Sequence, residues 1–171
     1  PGATVIVGGP NIPLLGEDVR EFFESWPFVD FICKKDGEVP IVRIVASRLK
    51  GESIDEITKT KVDNIIGIDK STRELYEGQT GKKVARLEDI PSPYLTGLMD
   101  KFFAIDGQTL SPFIETNRGC PFTCTFCHTA DSYYNKPQLA SFDQLKKELE
   151  MFGQCFEGQH EVRLFMADNN F

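Results

Sequence analysis

Three cysteines within eight residues constrain this chain more than any other feature of its sequence. Cys120, Cys124 and Cys127 share the segment CPFTCTFC, so their thiolates can wrap one small polynuclear metal centre. In a four-iron cluster, three protein ligands leave one iron open to a cofactor with adjacent amino and carboxylate groups. The chain has five cysteines, an odd number too unevenly spread for a disulfide framework. We therefore expect a cluster site in a reducing compartment, with Cys33 and Cys155 as buried thiols.

A structural zinc site is the alternative interpretation of these cysteines. Three cysteines and one histidine make a closed tetrahedral set, and the two histidines of the chain are His128 and His160. Zinc ligands usually come as two separated pairs, and His128 directly follows Cys127, which makes it awkward for both side chains to reach one ion. We interpret His128 as a loop residue near the cluster and His160 as a solvated residue before a strand.

Charge and hydropathy exclude several classes of partner. The chain carries 26 acidic and 19 basic residues, a formal net charge of −7, so its surface should repel nucleic-acid phosphates and anionic lipid headgroups. No run approaches the roughly 18 apolar residues that a membrane span needs. The opening residues PGATVIVGGP lack the basic-then-apolar order of a signal peptide. These features predict a globular cytoplasmic protein with neither nucleic acid nor membrane as a partner.

The first part of the chain alternates between strand-like and helix-like segments. TVIVGG and FVDFIC are short apolar runs typical of buried strands, and helical spacing follows them in GEDVREFFESW and PIVRIVASRLKG. Two strand-plus-helix units of this kind favour a parallel α/β layer. A further apolar run at 64–68 predicts another strand.

The second part contains a connection and then a new alternating pattern. Residues 69–85 are rich in Gly, Thr, Lys and Glu and predict a hairpin or irregular connection, and residues 86–110, with two prolines, predict a structured linker. Residues 111–119 then read as a strand, 141–153 as a helix with a serine N-cap, and 161–168 as the next strand. This order predicts the opening of an alternating barrel or sheet.

The helix between these strands should have one charged and one apolar side. The charged side chains expected in solvent are Lys146, Lys147, Glu148 and Glu150. The apolar side chains expected to keep the helix and the preceding strand packed are Phe113, Leu145, Leu149 and Phe152. The cysteine loop between them, residues 119–136, should be irregular and mobile without a metal, because little backbone pairing is expected there.

The cysteine segment resembles the signature of the radical S-adenosylmethionine (SAM) superfamily. The pattern is C-x-x-x-C-x-aromatic-C, with Phe126 as the aromatic residue, and it follows the strand end ETNRG. Within that superfamily, the chain most resembles the subgroup with an N-terminal cobalamin-binding domain. Three sequence segments carry this resemblance: IPSPYLTGLMDKFF, IETNRGCPFTCTFC and MADNNF. The resemblance covers nearly the whole chain.

The resemblance implies an α/β fold in three parts. Residues 1–70 would form the C-terminal part of a Rossmann-like cobalamin-binding domain, and residues 71–110 a hairpin and linker. Residues 111–171 would form the N-terminal part of a radical SAM partial (βα)6 barrel. Because the chain opens on Pro1 and stops just after a strand-like run, we expect it to be a piece of a longer protein.

The resemblance also implies roles for individual residues. Cys120, Cys124 and Cys127 would hold a [4Fe–4S] cluster, and Phe126 would pack near the adenine of SAM. Asp168 and Asn169 end the second barrel strand, where the family approaches the methionine amino group. Here they stand in the segment ADNN, in place of the more usual Gly-Gly-Glu motif. A plain strand-to-loop turn is the alternative for this pair.

Gly8 and Gly9 form the second predicted cofactor contact. Glycines after a strand let a cofactor approach where a Cβ would obstruct it. In the resembled family such a pair lies beside the nucleotide tail of cobalamin. A simple turn is the alternative interpretation.

The implied activity is reductive cleavage of SAM to a 5'-deoxyadenosyl radical, with cobalamin-dependent methyl transfer or another C–H functionalisation as its outcome. A small-molecule substrate and a reductant such as ferredoxin or flavodoxin would be the partners. The alternative is a zinc-stabilised or degenerate, non-catalytic binding module. With only two predicted barrel strands, 112–118 and 162–167, the isolated chain should be inactive and should self-associate through strand edges.

Overall fold

A computed structural model of the chain describes residues 3–13, 16–103, 110–130, 132–158 and 161–169, without the side chain of His128. The chain divides into two compact units, Pro1–Lys83 and Val84–Phe171. The three-part division at residues 70 and 110 stays a prediction. Within the described residues, every helix is too short or too polar to cross a membrane.

The first unit contains a four-stranded sheet in the order β1-β2-β3-β4. Its strands are β1 (Ile6–Gly8), β2 (Phe31–Cys33), β3 (Ile65–Ile68) and β4 (Leu75–Glu77). The parallel layer predicted from the sequence is confirmed for β1 and β2, whereas β3 is antiparallel to both β2 and β4. Two helices lie between β2 and β3, and the later one, at Ile54–Lys59, returns the chain to the sheet.

Two helices of this unit follow the predicted periodicity. They are α1 (Gly16–Ser25) and α2 (Glu38–Leu49), and each follows one of the parallel strands. In α1, Val19 and Phe23 are one helical turn apart and both are buried. The apolar spacing read from the sequence therefore identified the face of α1 that packs on the sheet.

The end of α2 has a Schellman motif at Gly51. Its backbone has φ +89°, the left-handed conformation that glycine adopts without a Cβ penalty. The Gly51 N–H donates to the Arg48 carbonyl over 3.0 Å, and the Glu52 N–H donates to the Ser47 carbonyl over 3.1 Å. Gly51 therefore lies just past the end of the helix.

The third helix, α3 (Ile54–Lys59), was not predicted. It begins with a capping box: the Glu56 N–H donates to Ser53 Oγ over 3.2 Å, and the Ser53 N–H donates to Glu56 Oε2 over 2.7 Å. A helix of six residues is too short to show apolar periodicity. The Ser-x-x-Glu spacing was the signal that could have found it.

The core of the first unit lies on both faces of the sheet. One cluster consists of Val19, Phe23, Val29, Ile32, Ile66 and Ile68. The other consists of Phe31, Cys33, Ile44, Ile57, Val62 and Ile65. Because successive strand residues point to opposite faces, Ile32 packs with α1 while Phe31 and Cys33 pack with α2 and α3.

The predicted connection after β3 is a β-hairpin whose turn is organised by Asp69. The Asp69 carboxylate accepts the Ser71 N–H over 2.9 Å, the Ser71 hydroxyl over 2.6 Å and the Thr72 N–H over 3.1 Å. Lys59 Nζ forms an ion pair with the other carboxylate oxygen at 2.9 Å. These donors stabilise the charged form, with the Ser71 hydroxyl contributing most, and they hold the Asp69 pKa far below its usual range.

The second unit combines short strands with one long helix. Its elements are a 3-10 helix (Leu87–Asp89), α4 (Asp100–Phe103), β5 (Phe113–Ile114), β6 (Asn117–Arg118), a 3-10 helix (His128–Ala130), β7 (Gln138–Leu139), α5 (Phe142–Cys155) and β8 (Phe165–Met166). β5 and β8 form a parallel pair, and β6 and β7 form an antiparallel pair. The strand predicted at 111–119 is thus two strands that pair with different partners.

The helix α5 follows its predicted start but not all of its predicted exposure. The Gln144 N–H donates to Ser141 Oγ over 3.4 Å, which confirms the serine N-cap. Lys146, Lys147 and Glu150 are exposed, as expected. Glu148 is buried, so the prediction of a wholly solvated charged face was wrong there; its carboxylate lies 3.5 Å from Gln144 Nε2.

Aromatic contacts pack the segment around residues 87–103 against α5. The Tyr94 ring stands edge-on to the Phe152 ring, with centroids 4.8 Å apart, and Phe103 lies 6.4 Å from the same ring. The Phe113 N–H donates to the Tyr94 hydroxyl over 2.9 Å. Phe152 is buried as predicted and Leu145 is half-buried, but Phe113 and Leu149 are exposed, so the prediction that they pack was wrong.

Candidate functional site

The cysteine loop, residues 119–137, is closed at its base by a short antiparallel pair of strands. Asn117 lies opposite Leu139 and Arg118 opposite Gln138. The next hydrogen bond inward joins the Cys120 N–H to the Tyr134 carbonyl over 2.9 Å. Little backbone pairing was expected here. The base of the loop is instead a hairpin stem, formed by β6 before the first cysteine and β7 after the loop.

Gly119 makes the close approach at this base possible. Its φ of +105° is a conformation that residues with a Cβ rarely adopt. A Cβ at this position would lie 2.5 Å from the Tyr134 carbonyl oxygen. The Gly119 N–H donates to Asn169 Oδ1 over 3.1 Å. Glycine is therefore the only residue that fits directly before Cys120 without moving the stem.

Within the loop the backbone is irregular, as predicted for 119–136, while its mobility stays a prediction. The Cys127 N–H donates to the Cys124 carbonyl over 3.0 Å, and the Ala130 N–H donates to the Cys127 carbonyl over 3.1 Å. Cys120 is half-buried, whereas Cys124 and Cys127 are exposed, and all three are free thiols. Two hydrogen bonds from Thr129 lower the pKa of the Cys127 thiol; the bond from the Thr129 hydroxyl contributes most, followed by the bond from its N–H.

The donor set of the loop fits an iron–sulfur cluster by its chemistry. Thiolates are the ligands of such clusters, and three of them stand on one loop with two open to solvent. Among the described residues, no three His, Cys, Asp or Glu side chains are grouped so as to hold a single metal ion. The side chain of His128 and the whole of His160, the candidate fourth zinc ligands, lie outside the described residues.

The two cysteines outside the loop differ from one another. Cys33 is buried with 4% of its surface exposed, as predicted, and burial raises its pKa. Cys155 is exposed, so the prediction that it is a buried thiol was wrong. It is the last residue of α5.

Phe126 presents its ring to solvent next to Cys127. The residue is 92% exposed, more than any other large apolar residue described. An exposed aromatic ring beside the loop thiols offers a flat surface on which a planar group can stack. Its predicted contact with adenine stays a prediction.

Asp168 and Asn169 bind the backbone that leads into the cysteine loop. Asp168 Oδ1 accepts the Thr116 N–H over 2.7 Å and the Asn117 N–H over 3.1 Å. Asp168 Oδ2 accepts Asn117 Nδ2 over 3.0 Å and also the Thr116 hydroxyl. These residues therefore follow the end of β8 and lie beside the start of the loop, while their contact with SAM stays a prediction. No side-chain contact between them and the segment 116–119 was foreseen.

Gly8 and Gly9 lie at the carboxyl end of β1, beside a cavity of about 220 Å³. Cys33, Lys35, Gly37 and Ile41 also line it. A Cβ on Gly8 would lie 3.2 Å from the Cys33 carbonyl oxygen, and Gly9 has φ +98°. In α/β sheets, ligands bind outside the carboxyl ends of the strands, which is where this cavity lies.

A second group of polar side chains surrounds the outer side of β5 and was not identified from the sequence. Arg118 binds both oxygens of Glu115, each over 2.8 Å, and Gln138 Nε2 donates to the Val84 carbonyl over 2.7 Å. Glu115, Arg118 and Glu148 line a cavity of about 250 Å³. Arg118 and Glu115 are only three residues apart, whereas the bond from Gln138 to Val84 joins residues 54 apart in the sequence.

Comparison with known proteins gives relatives along the whole chain. No protein-family model matches it. It is 34% identical over 175 residues to the cobalamin-dependent radical SAM methyltransferase TokK of Streptomyces tokunonensis, which covers 100% of this chain and 24% of TokK. It is 32% identical over 175 residues to the 2-(S-pantetheinyl)-carbapenam-3-carboxylate methyltransferase of Streptantibioticus cattleyicolor, again with 100% and 24% covered. The chain thus spans about a quarter of the length of these curated relatives.

A solved structure shares the fold. The cobalamin-dependent SAM radical enzyme OxsB, with aqua-cobalamin and SAM bound, matches with a TM-score of 0.63 and 26% identity over 97% of this chain and 21% of that one. The mixed α/β architecture, with parallel and antiparallel strands, is therefore the one found in that enzyme. These relatives confirm the resemblance to cobalamin-dependent radical SAM enzymes that was predicted from the cysteine loop and the neighbouring sequence segments.

Proposed function

Because this chain is homologous along its whole length to cobalamin-dependent radical SAM enzymes, we propose that it is the cluster-holding part of such an enzyme. The observation that carries the proposal is the cysteine loop, in which three free thiols follow a stem closed by β6 and β7. Cys120, Cys124 and Cys127 would each supply one thiolate ligand. When bound, a [4Fe–4S] cluster supplies the electron for reductive cleavage of SAM to a 5'-deoxyadenosyl radical.

The chain's own residues bind and orient the cofactors. The stem and Gly119 hold Cys120 at a constant place relative to the strands, while exposed Cys124 and Cys127 can turn toward the same centre. Phe126 stacks against the adenine of SAM, and its exposed ring is free to do so. Asp168 and Asn169 follow β8, the strand end where the resembled family approaches the methionine end of SAM. In this proposal the cluster ligands come from the loop after β6, and the residues that follow β8 lie beside the start of that loop.

The first unit would supply the cobalamin contact. Gly8 and Gly9 lie where the two parallel strands end, beside an open cavity that a Cβ on Gly8 would narrow. In this proposal residues 1–70 are part of a Rossmann-like cobalamin domain, 71–110 a hairpin and linker, and 111–171 the start of a partial (βα)6 barrel. The parallel pairing of β5 with β8 across α5 supports the last of these.

The activity of the whole protein would be methyl transfer through cobalamin or another C–H functionalisation of a small molecule. The names of the two curated relatives favour methyl transfer. A cytoplasmic reductant such as ferredoxin or flavodoxin would deliver the electron. Nucleic acid and membranes are not expected as partners, given the net charge of −7.

Anaerobic reconstitution of the full-length protein with iron and sulfide tests the proposal. We expect broad brown absorbance and about four irons per chain, and loss of most of that iron in each of Cys120→Ala, Cys124→Ala and Cys127→Ala. Cys33→Ala and Cys155→Ala are the matched controls and should keep it. A colourless protein that binds one zinc would favour the structural alternative instead. A cluster without SAM cleavage would favour a degenerate homologue.

A further inference from the structure

We propose that Asp168 is a positioning residue, which fixes the entrance of the cysteine loop against β8 rather than contacting SAM itself. With Asn169 it forms a strand-end clamp, defined here as these two side chains and their bonds to residues 116–119. The inference deepens the proposed function, because it concerns how this chain places Cys120.

The clamp begins where the strand ladder stops. The last backbone bond between β5 and β8 joins the Ala167 N–H to the Ile114 carbonyl over 2.8 Å. After Ile114 the chain turns away from β8 and into β6. Beyond that point the N–H groups of Thr116 and Asn117 both donate to the Asp168 carboxylate, which supplies the acceptor that each backbone donor needs.

The acceptor capacity of Asp168 is filled by these bonds. A carboxylate has about four lone-pair sites. Oδ1 takes the backbone N–H groups of Thr116 and Asn117, and Oδ2 takes the hydroxyl of Thr116 and the amide of Asn117. A further ammonium group, such as that of methionine, would have to displace one of these four donors. A carboxylate used in this way positions the backbone and does not serve as a ligand.

Asn169 extends the clamp by two residues along the chain. Its Oδ1 accepts the Gly119 N–H over 3.1 Å, immediately before Cys120. Cys120 itself is held from the other side by the Tyr134 carbonyl over 2.9 Å. Cys120 is also the most buried of the three loop cysteines. The clamp and the stem therefore hold the first thiol in place, while the other two cysteines have room to adjust.

Amide hydrogen exchange on the full-length protein without metal tests the clamp separately from any cluster. In Asp168→Ala we expect exchange at Thr116 and Asn117 to quicken about tenfold or more, because each amide loses a charged acceptor. In Asn169→Ala the effect should appear at Gly119. Asp143→Ala, which removes an exposed aspartate of α5, is the control and should leave all three amides unchanged.

The second arm separates a positioning residue from a SAM ligand in the reconstituted protein. Asp168→Asn keeps one oxygen for the two backbone donors and loses the negative charge. We expect its SAM affinity to stay within about threefold of wild type, with Asp168→Ala giving a broadened or heterogeneous electron paramagnetic resonance signal from the reduced cluster. Asp168→Asn also keeps the test valid if the alanine variant does not fold.

Two results would overturn the inference. One is unchanged exchange at Thr116 and Asn117 in Asp168→Ala. The other is a loss of SAM affinity of about tenfold or more in Asp168→Asn with exchange unchanged, which would make Asp168 a ligand. Failure of the proposed function gives a different pattern, because a wild-type chain that takes up no cluster still reports the clamp through its amide exchange.

Discussion

Asp69 and Asp168 meet similar hydrogen-bonding needs in opposite ways. Each carboxylate accepts backbone N–H groups that would otherwise lack partners after a strand ends. The backbone donors to Asp69 lie two and three residues ahead of it, at Ser71 and Thr72. The donors to Asp168 lie 51 and 52 residues before it, at Asn117 and Thr116. The first arrangement is a property of a short sequence, and the second exists only when β5 and β8 are side by side.

The difference predicts which substitution should lower the stability of a whole unit and which should loosen only one segment. Asp69 lies in a sheet whose two faces are covered by α1 on one side and by α2 and α3 on the other. Asp168 lies in a unit whose paired strands have exposed residues, Phe113 and Phe165 among them. Loss of the Asp69 bonds should therefore weaken a cooperative core. Loss of the Asp168 bonds should loosen one strand end.

The largest loss of stability is expected from Gly119→Ala, in the segment that the clamp holds. The new Cβ would overlap the Tyr134 carbonyl and force an unfavourable φ, so the loop stem must open. We expect a loss of about 2 kcal/mol or more in stability of this unit and poor iron uptake after reconstitution. Thermal unfolding and iron per chain measure both.

Gly153→Ala is the matched control for that substitution. Gly153 lies within α5, and a Cβ there would meet nothing within 4 Å. The change should stabilise by about 0.5–1 kcal/mol, because alanine is the better helix former. Equal behaviour of the two variants would show that the close approach at Gly119 does not constrain the loop.

The local site should give the next largest effect, from Asp69→Ala. The substitution removes the acceptor of three turn donors and the partner of Lys59. We expect the melting temperature to fall by roughly 10 °C. Asp168→Ala should lower it much less, so the difference between the two variants measures local against global coupling. A larger fall in Asp168→Ala would reverse the comparison drawn above.

The pH dependence of stability should distinguish wild type from Asp69→Asn. Because the folded pKa of Asp69 is held below its unfolded value of about 3.9, its contribution is fully present above that pH. The contribution is lost as the pH falls below about 4 toward the lower folded pKa. Melting temperatures of the two proteins should therefore differ at pH 7, and the difference should shrink steadily as the pH falls below about 4. A constant difference across this range would contradict the assignment of the charged form.

The smallest effect is expected from the two cysteines outside the loop. Cys33→Ser places a hydroxyl in the packed cluster on one face of the sheet and should cost about 1–2 kcal/mol. Cys155→Ser changes an exposed residue at the end of α5 and should stay within about 0.5 kcal/mol. Urea unfolding of both variants checks the pair. A cost at Cys155 equal to that at Cys33 would show that the exposed thiol is covered in the whole protein.

Much of the fold follows from patterns within a few residues. The apolar runs predicted β1, β2 and β3, and periodicity with end signals predicted α1, α2 and α5. The spacing of Cys120, Cys124 and Cys127 predicted the candidate site, because three thiols in one loop need no distant residue to be recognised. The helix α3 shows the limit of periodicity, since its six residues make fewer than two turns.

The tertiary structure decided what depends on which segments become neighbours. It made β3 antiparallel, divided the strand at 111–119 between two partners, buried Glu148 and exposed Cys155. It also placed Asp168 on the N–H groups that precede the cysteine loop. The sequence by itself determined the elements and the chemistry of the loop, because both arise from adjacent residues. Pairing, burial and the clamp depend on contacts between separate segments, 52 residues apart for the bond from Thr116 to Asp168, which no local pattern encodes.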